Sequence, residues 1–326
     1  MRYFIFGMLT CLLPTLAAVA ENPKPVPVIL DTDIGSDIDD TWALSLLLAC
    51  PELDLKLVVT DSHNTVGRAK IVAKFLESVG RADIPVGIGI QFDDNAGPQA
   101  QWAADYDLKS YPGGVHKDGV QAMIDRIRDA AGPMYLIVLG PCPNIPEMLK
   151  RAPDVVNKVK VFAMSGSVRL GYNGRATPDA EYNVRDHIAA ARALYQAEWD
   201  LTIAPLDTAG LVYLAGNKYQ TLKQTANPLI QTLLENYRVW AKEGRHSIDP
   251  ETRSSTLFDP VAVYLAIDQS LCVMQDLRLK VDDKGYTVED ASARIIHAAM
   301  SWKDKEKFED WLATRLMNGV VVREGN

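Results

Sequence analysis

The sequence predicts an α/β protein with a mostly parallel central sheet flanked by helices, and with a helical C-terminal part. Three observations carry this. Short runs of Val, Ile and Leu alternate with longer segments whose apolar residues recur at helical spacing. Strand and helix keep alternating to about residue 217, the pattern of crossover units in a parallel sheet. An acidic turn follows the first apolar run and opens an apolar helix, where open α/β sheets present their ligands.

The elements follow in order. Residues 22–27 are a proline-rich lead-in. A strand is expected over 28–31, a helix over 41–49 and a second strand over 55–60. Residues 67–80 form a helix with Ala69, Val72, Ala73, Leu76 and Val79 on one face. A third strand covers 85–89. Residues 91–119 lack periodicity and contain Gly97-Pro98 and Pro112-Gly113-Gly114, so they read as a long functional loop. A helix over 120–130 precedes a central strand over 134–139, ended by Gly140-Pro141. A helix begins at 145–150, a strand covers 160–164, a helix 186–196 and a strand 201–204. Beyond 217 the pattern is mainly helical, apart from a hairpin over 276–288 around Asp282-Asp283-Lys284-Gly285.

The chain has 326 residues, suited to one large α/β domain, and a formal net charge of −8. Such an acidic balance offers no basic surface for a nucleic acid polymer. Residues 1–20 have a short basic start, an apolar run from Tyr3 to Leu16 and Ala18-Val19-Ala20 before Glu21. That is the pattern of a cleaved secretory signal, leaving a single domain over 21–326 in a secreted or periplasmic protein. The apolar run is short for a membrane span and is broken by Pro14, so no stable membrane anchor is expected. Cleavage leaves Cys50, Cys142 and Cys272, whose spacing fits no metal pattern.

The most informative stretch runs from Val28 to Asp40. Asp31, Asp33, Asp37, Asp39 and Asp40 place five carboxylates within ten residues, between strand and helix. Capping accounts for one or two acids in such a turn. Five repel one another unless a cation joins them, and an all-oxygen donor set points to Ca²⁺ or Mg²⁺.

This stretch resembles the N-terminal signature of the inosine-uridine-preferring nucleoside hydrolase family: a strand, Asp-x-Asp, Gly, then Asp-Asp and a helix. Asp31, Asp33, Gly35, Asp39 and Asp40 match it; this turn is two residues longer, so either Asp37 or Asp39 can take the first place of the Asp-Asp pair, and Asp39 is preferred because Thr41-Trp42-Ala43-Leu44 matches the family's helix start. Asn64, in Thr60-Asp61-Ser62-His63-Asn64, matches the family's turn asparagine near the ribose. Gly140-Pro141-Cys142-Pro143-Asn144-Ile145 looks like the family's Gly-Pro-Leu-Thr-Asn-Ile, with Pro143 where a backbone carbonyl binds the cation. Pro178-Asp179-Ala180-Glu181-Tyr182-Asn183 resembles the ribose-contacting segment, and Asp259-Pro260-Val261-Ala262 the C-terminal Asp-Pro-x-Ala.

The resemblance covers nearly the whole chain beyond residue 20. It implies a Rossmann-like nucleoside hydrolase fold and Ca²⁺-dependent hydrolysis of ribonucleosides to ribose and free base, as in purine and pyrimidine salvage. It implies Asp33 as catalytic base, with Asp33, Asp40, Asp259 and the Pro143 carbonyl holding Ca²⁺. Asp39, Asn64, Glu181 and Asn183 would bind the ribose. The implied partner is a small nucleoside, besides further copies of the chain in a homo-oligomer.

Several family members carry His before the last aspartate, and this chain has Phe258 there. An acid such as His116 or His246, or an aromatic sandwich from Trp102, Tyr106, Tyr237 and Trp240, must then serve the leaving base. Trp102 is the preferred base-contacting residue because its loop shows no core face. Two other readings stay open: a haloacid dehalogenase-type phosphohydrolase, from Asp31-Thr32-Asp33 after a strand, and a secreted nucleoside- or sugar-binding protein with little turnover.

Overall fold

Strand β1 (Val26–Thr32) lies at the centre of the molecule, because its side chains alternate between two apolar layers. Val28 and Leu30 enter one core, and Ile29 enters the other. The computed structural model describes residues 24–319, so the signal sequence expected over 1–20 lies outside the described residues.

The order continues with α1 (Asp39–Ala49), β2 (Leu53–Thr60), α2 (Thr65–Ser78), β3 (Val86–Ile88) and β4 (Val115–His116). Then come α3 (Gly119–Asp129), β5 (Met134–Val138), α4 (Asn144–Arg151) and β6 (Val159–Met164). Next are α5 (Tyr182–Asp186), α6 (Ile188–Gln196), β7 (Asp200–Ala204), α7 (Gly216–Gln224), α8 (Pro228–Glu243) and α9 (Asp259–Leu265). The described residues finish with β8 (Cys272–Val281), β9 (Thr287–Glu289), β10 (Ile295–Trp302) and α10 (Lys305–Asn318).

The ten strands form one sheet in the order β4-β3-β2-β1-β5-β6-β7-β10-β8-β9. Every pairing from β4 to β10 is parallel, and β8 alone is reversed, antiparallel to both β10 and β9. The order reverses at β1, whose neighbours are β2 and β5. Chains leaving β1 and β5 turn to opposite faces there, which opens a crevice at the strands' carboxyl ends. Helices α1, α2 and α7–α10 share the core on one face, and α3, α4 and α6 that on the other.

The α/β expectation holds, with three differences. The C-terminal part holds α7–α10 and the expected hairpin, β8 with β9, but it also holds β10, and β8 and β10 join the main sheet, where β10 pairs with β7. The helix expected over 186–196 is α6, and a separate short helix, α5, precedes it and ends at Asp186. Residues 91–119 are not an open loop. They hold 3₁₀ turns at Pro98–Ala103 and Leu108–Ser110 as well as β4. Gln99 is buried there; its Oε1 accepts from Gly35 N–H at 2.8 Å and its Nε2 donates to Thr41 Oγ1 at 2.8 Å. The segment therefore braces the acidic turn. Cys50, Cys142 and Cys272 are free, buried thiols, and among the described residues no helix is long and apolar enough to cross a membrane.

Candidate active site

The acidic turn lies at the carboxyl end of β1, at the reversal of strand order. Its backbone needs Gly35, with φ +123° and the Ala96 carbonyl only 2.5 Å from where a Cβ would sit. The buried Arg68 of α2 grips the turn, donating to the Ile34 carbonyl at 3.1 Å and to Ser36 Oγ at 2.7 Å. Its guanidinium also lies 3.6 Å from the Asp33 carboxylate. Indole N–H of Trp240 on α8 donates to the Ser36 carbonyl at 3.1 Å. The enlarged turn is thus held from three sides.

Asp39 and Asp40 begin α1, and Asp259 begins α9. Carboxylate oxygens of these three residues all lie within 4.8 Å of one another, and all three residues are buried. Thr32 Oγ1 donates to Asp40, and Asp259 N–H donates to Asp39 at 3.4 Å. Burial, reinforced by the neighbouring carboxylates, pushes the pKa of Asp39, Asp40 and Asp259 well up. Asp33 is also pushed up by burial, while Arg68 pulls it back. Such a cluster cannot be fully ionised without compensating positive charge. Carboxylates with this convergence and no nitrogen or sulfur donor fit a hard, oxygen-seeking cation.

The cluster opens onto a cavity of about 280 Å³, near the lower end of the range for small-ligand sites. Asp33, Asp39, Asp40 and Asp259 form its acidic wall, and Glu181, Tyr182 and Asn183 line it as well. Glu181 caps α5, accepting from Asn183 N–H at 2.7 Å and Gly166 N–H at 3.0 Å. Burial raises its pKa to about 7. Asn183 Nδ2 donates to the carbonyls of Leu139 at 2.6 Å and Met164 at 3.1 Å, at the ends of β5 and β6. Its amide orientation is fixed, with the side-chain oxygen left as an acceptor.

Of the residues singled out from sequence, Asp33, Asp39, Asp40, Glu181, Asn183 and Asp259 therefore share one cavity. Three others do not line it. Asn64 caps α2, accepting from Gly67 N–H at 2.8 Å and donating to the Asp94 carbonyl at 3.0 Å, so its side chain is committed to the helix end. Pro143 is the buried residue that caps the start of α4. Its segment still abuts the site: a Cβ on Gly140 would lie 2.7 Å from Asp33 Cβ.

Trp102 is a correction. It is a core residue, 6% exposed, packed on Phe75 of α2 and donating to Glu235 of α8 at 3.0 Å. Two helices remote in sequence supply the core face that its own segment lacks. Tyr237 is buried against Trp42, and His116 is exposed on edge strand β4. Asp37 of the acidic turn lines it too, and the structure adds cavity residues that sequence reasoning did not place there: Ser36, Met164, Tyr172 and Tyr182. His246, a candidate acid from sequence, also lines it and stacks on Trp240 with ring centres 3.7 Å apart. Phe258 lines the cavity edge-on to Tyr172.

Comparison with known proteins accords with this geometry. Residues 28–314 match the model of the inosine-uridine preferring nucleoside hydrolase family. A pyrimidine-specific ribonucleoside hydrolase, RihA, of Enterobacter sp. (strain 638) is 26% identical over 317 residues, covering 89% of this chain and 97% of that one. A non-specific ribonucleoside hydrolase, RihC, of Klebsiella pneumoniae subsp. pneumoniae is 30% identical over 226 residues, 65% of this chain and 72% of that one. In fold, a plant nucleoside hydrolase, PpNRh1, superimposes with a TM-score of 0.76 at 21% identity, over 90% of this chain and 99% of that one. A purine-preferring ribonucleoside hydrolase from Gardnerella vaginalis gives 0.71 at 20% identity over the same shares. The phosphohydrolase reading of Asp31-Thr32-Asp33 finds no support in these matches. Acidic turn, Glu181–Asn183 pair and Asp259 thus meet inside a match that spans nearly all of the described residues, and the chain belongs to the inosine-uridine preferring nucleoside hydrolase family.

Proposed function

We propose that this protein hydrolyses the N-glycosidic bond of ribonucleosides, with Ca²⁺ as resident cation, releasing ribose and free base. The observation that carries the reading is the buried Asp39–Asp40–Asp259 cluster opening onto a cavity shared with Asp33, Glu181 and Asn183. Asp33, Asp40, Asp259 and the Pro143 carbonyl would hold the ion; the packing of the Gly140–Pro143 turn on Asp33 supports the last of these. A bound Ca²⁺ would supply the charge that draws in the ribose diol and acidifies a water.

Asp33 would take the proton of the attacking water as general base. Asp39 accepts from a ribose hydroxyl, and the fixed amide of Asn183 offers its oxygen to another. Glu181, already tied to three backbone N–H groups, holds the opposite wall in place. The anionic surroundings favour the positive charge that develops on the sugar as the bond to the base breaks. We further propose that the protein works outside the cytoplasm, on the strength of residues 1–20.

The test is to incubate purified protein with a purine and pyrimidine ribonucleoside panel, with Ca²⁺ or with chelator, and to assay reducing sugar. Calcium-dependent ribose release is expected. Tight nucleoside binding with no ribose release between pH 5 and 9 would favour a binding protein instead.

A further inference from the structure

The turn after β2 places Ser62 and His63 in succession in the left-handed region, with φ of 56° and 47°. Two adjacent non-glycine residues in that region are costly, and such strain persists where surrounding contacts enforce it. The contacts are specific. His63 Nδ1 lies 2.7 Å from the Asp93 carboxylate, and Nε2 lies 3.2 Å from the Tyr182 hydroxyl. Asp186 stands 3.9 Å from the same Nε2. Tyr182 lines the cavity between Glu181 and Asn183. The His63 side chain is 23% exposed and that of Asp93 50%, so the chain of groups runs from the cavity to solvent.

Departure of a nucleobase leaves an electron pair on nitrogen that needs a proton. Phe258 has none to give, and Trp102 is in the core. His246 reaches the cavity only from its exposed rim, with its ring stacked flat on Trp240 at 3.7 Å between centres. Tyr182 is held in its protonated form by burial and by the negative charge of Asp33, so it can donate but not act as a base.

We propose that Tyr182 is the proton donor to the leaving base, and that His63, held by Asp93, is the positioning residue that resupplies it. The inference rests on the ribonucleoside hydrolase reading. As the bond from C1′ to the base breaks, its electron pair passes to the base, which takes the phenolic proton. The phenolic oxygen takes the proton on His63 Nε2, while Nδ1–H stays on Asp93. The oxygen of water bonds to C1′ and its proton goes to Asp33. Solvent then reprotonates His63 and receives the proton from Asp33, so one water is consumed per turnover.

Three substrates test this: uridine, inosine and nitrophenyl riboside, whose leaving group needs no proton. Tyr182→Phe and His63→Gly are each expected to lose about 100-fold in kcat on the two nucleosides, the scale of a general acid. On the nitrophenyl riboside the loss should be under about threefold on the same reasoning. Glycine tolerates the positive φ at position 63, so the turn is retained. Added imidazole should restore part of the His63→Gly loss on nucleosides and none in Tyr182→Phe. Equal losses on all three substrates, or no loss on nucleosides, would overturn the proposal. Wild-type protein that cleaves none of the three would instead remove the hydrolase reading beneath it.

Discussion

The backbone N–H of Asp259 donates to the Asp39 carboxylate at 3.4 Å, joining residues 220 positions apart in the chain. The contact docks the start of α9 on the start of α1 and closes the acidic wall. Asp40→Asn and Asp259→Asn should each weaken Ca²⁺ binding at least about tenfold and raise KM, because each removes a charged ligand. Asp33→Asn should lower kcat by about a thousandfold, since it would also remove the proposed base. Calorimetric Ca²⁺ titration and steady-state kinetics separate the two effects. Unchanged Ca²⁺ affinity in Asp259→Asn would take α9 out of the cation site.

Stability of the cation-free protein should fall as pH rises. Asp31 is raised from 3.8 to about 7 and Glu181 from 4.5 to about 7, both chiefly by burial. A carboxyl whose folded pKa is raised binds more protons folded than unfolded, so its contribution is complete below about pH 4 and is lost as pH climbs through about 7. Thermal melts with chelator should therefore give a higher Tm at pH 5 than at pH 8. Ca²⁺ at 100 times its Kd should return about 2.7 kcal/mol at pH 8. A Tm that rises from pH 5 to pH 8 in chelator would contradict this.

Trp102→Ala should destabilise without altering substrate preference. Its indole is enclosed by α2 and α8, and truncation of such a residue costs about 3–5 kcal/mol. Denaturant unfolding measures the loss. The ratio of kcat on uridine to kcat on nitrophenyl riboside should stay at the wild-type value; a selective drop on uridine would return Trp102 to the site.

Arg68→Met should move the acidic limb of the pH–rate profile to higher pH. Arg68 lowers the pKa of Asp33 against the effect of burial, so its removal leaves Asp33 protonated further up the scale. The variant also loses the bonds to Ile34 and Ser36, and KM should rise with the loosened turn. An unmoved limb would mean that the bound cation alone sets the ionisation of Asp33.

N-terminal sequencing of natively expressed protein should find a chain beginning near Glu21. An intact Met1 on soluble cytoplasmic protein would refute export.

The acidic turn was legible in the sequence because its signal is local: five carboxylates between a strand and a helix have few structural uses. Asp259, Glu181 and Asn183 were legible only in register with that turn, through the family resemblance. Asn64 shows the limit of such transfer, since the same residue type at the matching place serves as a helix cap. His63, Tyr182 and Tyr172 carried no local signal: their meaning depends on which distant residues face them. Trp102 was misplaced for the same reason, its core face being supplied by α2 and α8. Strand β10 escaped because its Ile295–Trp302 run alternates imperfectly and gains its place only by pairing with β7 and β8.

Every residue of α1 is buried, from Asp39 and Asp40 at its start to Ala49 at its end. His246, at the cavity rim, sits on an exposed stretch of chain. The sugar-facing end of the cavity is therefore as hard to reshape as the hydrophobic interior, since any shift there propagates through the packed helix. At the rim, exposed His246 can change at little cost to folding. Such a division makes the protein an evolvable scaffold: descendants can explore new leaving groups while the demand for a ribosyl unit stays locked.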